Sequence, residues 1–278
     1  RTQQAQNAMT ILEVLICTYG RRLAGIDSGG LPQVEGVRYL VSCQLPEDIS
    51  PGQAMAACRQ LSQRKDVEIR FVDGKGLSNN RNAALDAATA PLALIADDDT
   101  SFDADGLRGI IARFDADPAL ELITVRSIHD CGSQYPPDGH DLARPFKRYW
   151  PISIEIALRM EAVRRRRWRF SPLAGIGAPY LEAGEENIFL HNAVRSGAKC
   201  RFADIAVASH PGETTSGHSG GTPGTLRAKG ACLRIIRGWA TGLTRIPVEA
   251  FRAPCPTLRA LLYIFQGYVY SIANRRYL

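Results

Sequence analysis

Three consecutive carboxylates, Asp97-Asp98-Asp99, close a short, wholly apolar run from Leu92 to Ala96. Like charges this close repel, and the cluster is costly at the end of a buried strand unless a cation compensates it. Carboxylate oxygens suit hard divalent ions, here Mg²⁺ or Mn²⁺. In an extended chain Asp97 and Asp99 point the same way, so that one could face a nucleotide ribose and the other a metal. A solvated turn that caps the next helix is the plainer alternative.

Other residues offer related chemistry. Glu185-Glu186 opens a helical stretch after Gly184. Such a pair either complements the helix dipole or supplies a general base. His210, in Ser209-His210-Pro211-Gly212, can ligate Mn²⁺ or, when protonated, pair with a phosphate; it can also be an ordinary loop histidine, and His218 is a second candidate. The planar fork of Arg81 suits a nucleotide phosphate or the carboxylate cluster, against the plainer reading of an exposed helix arginine. Thr18 and Tyr19 offer a hydroxyl and a ring at the end of the first apolar run. The basic run Arg164 to Arg169 is either a solvated helix end or a contact for phosphate or membrane.

The elements that must position these groups alternate between apolar runs of strand length and helical patterns, as in an α/β sheet covered by helices. Strands are expected at Ile11 to Cys17, Val37 to Cys43, Val67 to Val72, Leu92 to Ala96, Leu120 to Ile128 and Lys199 to Ala208. Helices are expected over Gly52 to Ser62, over Ser78 to Ala88 with Ser78 as N-cap, and over Asp103 to Phe114. Further helices are expected over Ile152 to Arg166 and Glu182 to Ser196. Asp130 to Pro145 reads as a long loop of the kind that is often functional, and His210 to Pro223 as another. In open α/β sheets ligands bind beyond the carboxyl ends of the strands, where the three aspartates should lie.

The 278 residues, 45% apolar and 22% charged, suffice for one large domain with a modest extension. A net charge of +6 favours anionic partners, but no aromatic-interleaved basic surface points to nucleic acid. Seven scattered cysteines, none spaced C-x-x-C, argue against a disulfide framework and a zinc site and for a reducing compartment. No signal peptide is evident, the natural start is read at Met9, and no apolar stretch reaches membrane-spanning length. A cytoplasmic location is expected.

Four ordered segments resemble family 2 glycosyltransferases of the GT-A fold, in particular those that build bacterial polysaccharides. Val14 to Arg21 is similar to the family's opening strand and base-binding turn, and Gly76 to Ala83 to its G-x-S-x-x-R-N-x segment. Ile95 to Asp99 is similar to its D-x-D motif, and Gly184-Glu185-Glu186 to its G-E-D. The resemblance runs from Ile11 to about His218. It implies an inverting, metal-dependent transferase with a mostly parallel central sheet and helices on both faces. Its catalytic base would be Glu186, or else Glu185. Thr18, Tyr19, Arg21, Arg81, Asp97 and Asp98 would bind the nucleotide-sugar, and Asp99, Asp97 and His210 the Mg²⁺ or Mn²⁺. The donor would be UDP-, dTDP- or GDP-linked and the acceptor a saccharide or a lipid-linked one, in cell-surface polysaccharide or glycolipid synthesis.

Two departures stand out. The family's second acid is usually Asp, and Glu186 moves the carboxylate by a methylene. The second strand normally ends in a base-binding aspartate, where this chain reads Ser42-Cys43-Gln44. The alternatives are a sugar-nucleotide pyrophosphorylase-like enzyme, for which Gly20-Arg21-Arg22 is a spare phosphate loop, or a catalytically degenerate nucleotide-binding module.

The pattern changes near Thr225, dividing the chain into a catalytic domain, 9–224, and a C-terminal helical extension, 225–278. The extension reads as helices over Leu226 to Leu243 and Thr257 to Ala273. The second has a broad apolar face with Arg259 and Arg275-Arg276 nearby. Such a helix either lies on the inner face of the plasma membrane or packs against the core or a partner subunit.

Overall fold

The computed structural model describes residues 11–128, 134–146, 149–209 and 221–278. His210 and His218 lie outside them, as do parts of the two long loops. The chain forms two compact units: residues 11–73, 83–167 and 199–209, and residues 74–82, 168–198 and 221–278.

The first unit holds one eight-stranded sheet. Its strands are β1 (Leu12–Tyr19), β2 (Val37–Gln44), β3 (Val67–Val72), β4 (Leu92–Asp97), β5 (Ser101–Phe102), β6 (Leu122–Ser127), β7 (Ile156–Arg159) and β8 (Cys200–Ser209). Their spatial order is β3-β2-β1-β4-β7-β6-β8-β5. β1 pairs in parallel with β2 and β4, β2 with β3, and β6 with β8. β7 runs antiparallel to both of its neighbours, and β5 antiparallel to β8. The inner strands are largely apolar, as burial on both faces requires: every residue of β1 except Tyr19 is buried.

One buried acid on β1, Glu13, is satisfied by the backbone N–H groups of Thr89 and Ala90 at 2.7 and 3.0 Å. Helix α1 (Pro51–Ala57) is closed by a capping box between Ser50 and Gln53, and a break at Cys58 separates it from α2 (Arg59–Ser62). Helix α3 (Leu77–Ala87) follows β3. In α4 (Ala104–Ala116) Asp103 is the N-cap, accepting from the Gly106 N–H at 2.8 Å. Its Leu107, Ile110 and Phe114 enter the main core, and each such side chain stabilises the fold by about 1.5–3 kcal/mol.

The expected helix over 152–166 is a correction. It is a 3₁₀ turn at Ser153–Glu155, then β7, and only then helix α5 (Met160–Arg166). Ile156, Ala157 and Leu158 are fully buried and claimed by the sheet, so pairing with β4 and β6 overrides the local helical pattern. Ser78 is likewise not an N-cap: it lies inside α3, and its hydroxyl donates to the Ala174 carbonyl at 2.6 Å. The arginine run is largely engaged. Arg165 and Arg166 pair with Glu121, and Arg164 donates to the Ala88 carbonyl.

The second unit is helical, with α6 (Glu185–Arg195), α7 (Pro223–Arg237), α8 (Trp239–Phe251) and α9 (Thr257–Ala273). Gly238 separates α7 from α8, where one continuous helix was expected. Leu226, Leu233, Ile246, Ala260, Ile264 and Tyr268 form the core of the last three helices. α7 and α9 approach closely: a Cβ on Gly230 would lie 1.8 Å from the Ile264 carbonyl oxygen.

Candidate active site

In the first unit the three aspartates stand at the carboxyl end of β4, flanked in the sheet by β1. The strand ends at Asp97, and a turn closed by Thr100 N–H to Asp97 O, 3.2 Å, carries Asp98 and Asp99. The extended alternation expected for Asp97 and Asp99 therefore does not set their directions.

Asp98 is buried and engaged within the protein. Its carboxylate accepts from the Thr18 hydroxyl at 2.6 Å and from Arg22 Nε at 2.8 and 3.1 Å, with a further short contact to Arg22 Nη2. The same guanidinium stands 3.7 Å from Asp99, and its pKa is raised chiefly by the hydrogen bond to Asp98, with the charges of Asp98, Asp99 and Asp97 adding to it. Asp97 accepts from the Ser153 hydroxyl at 3.0 Å. Two residues on, Glu155 is a fully buried carboxyl that accepts from the Tyr135 hydroxyl, the Ser127 hydroxyl and the Ser127 and Ile152 N–H groups at 2.6–3.2 Å. Burial raises the Glu155 pKa against the pull of those donors.

Arg22, Ser153 and Glu155 were not singled out in the sequence. Arg22 is indistinguishable there from Arg21, and only the 3₁₀ turn Gly20–Gly25 decides which arginine meets the acids. Arg21 instead lines an open cavity of about 340 Å³ with Asp48, Ile49 and Gln53. Thr18 is buried and Tyr19 is 44% exposed. Gln44 lies beside Tyr19 in register; Gln44 and Ser42 are buried, and neither Gln44 Nε2 nor Ser42 Oγ has a hydrogen-bond partner among the described residues.

In the second unit Gly184 starts α6 with φ +80°, and a Cβ there would meet Cys232 Sγ at 2.7 Å. Two constraints thus demand glycine where the acid pair begins. Arg81, 1% exposed, donates from Nη1 to Glu185 Oε1 at 2.7 Å, and its guanidinium lies over the Phe170 ring. The structure places Arg81 in the interior, against Glu185. Glu186 is pushed up to about 8, first by desolvation and then by the charge of Glu185. The two neighbouring acids thus differ in setting: Glu185 is held by a buried cation, while burial and the charge of Glu185 favour the protonated form of Glu186.

Among the described residues no group of three or more His, Cys, Asp or Glu side chains is arranged to hold a metal by itself. Of the three aspartates, Asp98 is committed to Thr18 and Arg22, while Asp97 and Asp99 are carboxylates of the kind that hard divalent ions take.

Residues 48–170 match the sequence profile described as Glycosyl transferase family 2. The match takes in Arg81 and the three aspartates and leaves out Thr18, Tyr19, Glu185 and Glu186. No curated protein matches the chain. Among solved structures, Staphylococcus aureus TarS superposes with a TM-score of 0.58 at 13% identity, over 95% of this chain and 44% of that one, so the chain spans less than half of TarS. TarS 1–349 in complex with UDP-GlcNAc gives 0.56 at 13% identity, over 95% and 73%. The Pyrobaculum calidifontis mannosyltransferase PcManGT, solved with GDP-Man and Mn²⁺, gives 0.53 at 15%, over 94% and 75%. Glucosyl-3-phosphoglycerate synthase from Mycobacterium tuberculosis, with Mn²⁺, UDP and phosphoglyceric acid, gives 0.51 at 14%, over 82% and 78%. At these identities the likeness speaks for the fold, and the profile speaks for a resemblance over residues 48–170. The acid-ended strand and the mixed sheet agree with the GT-A fold of these structures, and residues 48–170 resemble family 2 glycosyltransferases.

Proposed function

We propose that the chain transfers a sugar from a nucleoside-diphosphate donor to an acceptor hydroxyl with inversion at the anomeric carbon. The observation that carries this reading is the tethering of Asp98 by Thr18 and Arg22, which fixes the flanking carboxylates of Asp97 and Asp99 at a strand end. Those two carboxylates would hold Mg²⁺ or Mn²⁺, and His210 remains a candidate third ligand. The ion, when bound, supplies charge neutralisation of the departing diphosphate.

The protein's own groups account for the rest. Tyr19, Ser42 and Gln44 would receive the nucleobase: the ring is exposed, and the two buried polar groups have hydrogen-bonding capacity to spare. Arg21 would meet the nucleotide beside them. Glu186 acts as the base. Its carboxylate accepts the proton of the acceptor hydroxyl as that oxygen bonds to the anomeric carbon, and the bond to the diphosphate breaks on the opposite side with its electron pair leaving on phosphate. A carboxyl titrating near neutrality suits this role better than an ordinary one, because proton affinity and the fraction ionised are balanced. Arg81 acts through Glu185, holding the pair in place. The acceptor is a saccharide or a lipid-linked saccharide, in cell-surface polysaccharide or glycolipid synthesis at the cytoplasmic side of the membrane.

The test is a thermal-shift series with UDP-, dTDP- and GDP-sugars, with and without Mn²⁺, on wild type and Asp99→Ala. A ligand at a hundred times its dissociation constant adds about 2.7 kcal/mol of stability. One nucleotide class should stabilise the wild type in the presence of metal and leave the variant unmoved. Equal stabilisation of Asp99→Ala, or none of the wild type by any donor, would overturn the donor-site assignment.

A further inference from the structure

The last three helices carry a second apolar surface besides their core. In α9 the inward face, Ala260, Ile264 and Tyr268, is buried. Leu258, Leu262, Phe265, Val269 and Ile272 are 46–82% exposed, and their steps of four and three residues place them on one stripe. In α8, Trp239 and Phe251 are 70% and 82% exposed. Ten of the sixteen exposed large apolar side chains among the described residues fall between Trp239 and Tyr277. Packing within the helical unit is thus complete before this stripe is used, so the internal core does not explain it.

Charge is concentrated in the same segment. Residues 221–278 hold nine Arg and Lys against one acid, Glu249, whereas residues 1–220 hold 25 basic and 27 acidic residues. The positive balance of the whole protein therefore comes from these helices. Glu249 is already shared by Lys229, Arg245 and Arg252 at 3.2–3.5 Å.

We infer that the α8–α9 face docks on an anionic lipid bilayer, its apolar stripe in the interface and its arginines at the headgroups. α9 is 17 residues long, about 25 Å, and none of the described helices is long and apolar enough to cross a membrane, so the segment lies in the plane of the surface. A second copy of the chain is the poorer occupant, because a two-fold contact would bring together two segments that are each strongly basic. The inference goes beyond the transferase reading and needs no nucleotide.

The experiment is flotation with large unilamellar vesicles of phosphatidylcholine alone or with 30 mol% phosphatidylglycerol, in low and high salt, without donor. The chain should float with the anionic vesicles at least ~10-fold better than with neutral ones and lose that advantage in high salt. Trp239 fluorescence should shift to the blue on binding, and Trp239→Phe should remove the shift while leaving flotation nearly intact. Leu262→Ser/Phe265→Ser, both exposed, should keep the wild-type circular dichroism melt and lose flotation about tenfold or more. Failure to float on anionic vesicles, or equal flotation of the double variant, would overturn the inference. So would a concentration-dependent dimer in light scattering that the same variant abolishes. Donor binding by thermal shift, measured without vesicles, is independent of every one of these outcomes.

Discussion

Arg81→Met keeps most of the side-chain stem and removes the charge from the only cation recorded against Glu185 among the described residues. The side chains of both partners are nearly inaccessible, at 1% and 7%, and they meet at 2.7 Å. An exposed pair would cost 0–1 kcal/mol to break, but removing one member of a buried pair costs about 3–5 kcal/mol because the other is left charged and desolvated. We therefore expect Arg81→Met to lower unfolding free energy by about 3–5 kcal/mol at pH 7. The measurement is urea denaturation followed by circular dichroism, read as a fall in midpoint at constant slope. Arg81→Met/Glu185→Leu should recover most of the loss, because no charge is then left behind. A single-variant cost under about 1 kcal/mol, or no recovery in the double variant, would refute the reasoning, for the pair would then be behaving as an exposed one.

Two further outcomes follow from the same unit. Glu186 has a folded-state pKa raised from 4.5 to about 8, so its protonated form is favoured in the native state. Its contribution to stability is full below about pH 4.5 and is lost as pH rises towards 8. The stability of wild type relative to Glu186→Gln should therefore fall across that window and level off above it, as thermal melts in matched buffers will reveal; a pH-independent difference would mean that Glu186 titrates normally. Gly184→Ala should cost at least about 1–2 kcal/mol for the left-handed conformation alone, with more from the Cys232 contact, and should reduce sugar transfer. A wild-type melting temperature and wild-type turnover would show that the start of α6 is not constrained as described.

How far the sequence discloses the molecule depends on whether a signal is local. The runs that became β1, β2 and β4 were visible because their buried residues are largely apolar, and those of β3, β6 and β8 because apolar residues recur along them. β7 was hidden because Ile156-Ala157-Leu158 runs straight into α5, and its pairing partners are more than 30 residues distant. The break at Gly238 was hidden for the opposite reason: apolar positions continue on both sides of it at helical spacing. At the candidate site the acidic cluster and the acid pair were legible from residue type alone. Arg22, Ser153 and the inward turn of Arg81 were not, since each depends on backbone direction or on a partner far along the chain, 56 residues away for Ser153 and Asp97 and 104 for Arg81 and Glu185.

The reversed strand bears on how this architecture can diversify. Because β7 runs against β4 and β6, its amino end and the carboxyl end of β6 emerge at the same rim as the three aspartates. The chain between Ser127 and Ser153 therefore leaves and re-enters the sheet at one edge, and two of its tyrosines are tied back to that edge, Tyr135 to Glu155 and Tyr149 to Thr124. A segment exchanged there, by evolution or by an engineer, must keep those two hydroxyls if the frame that bears the acids is to stay as it is.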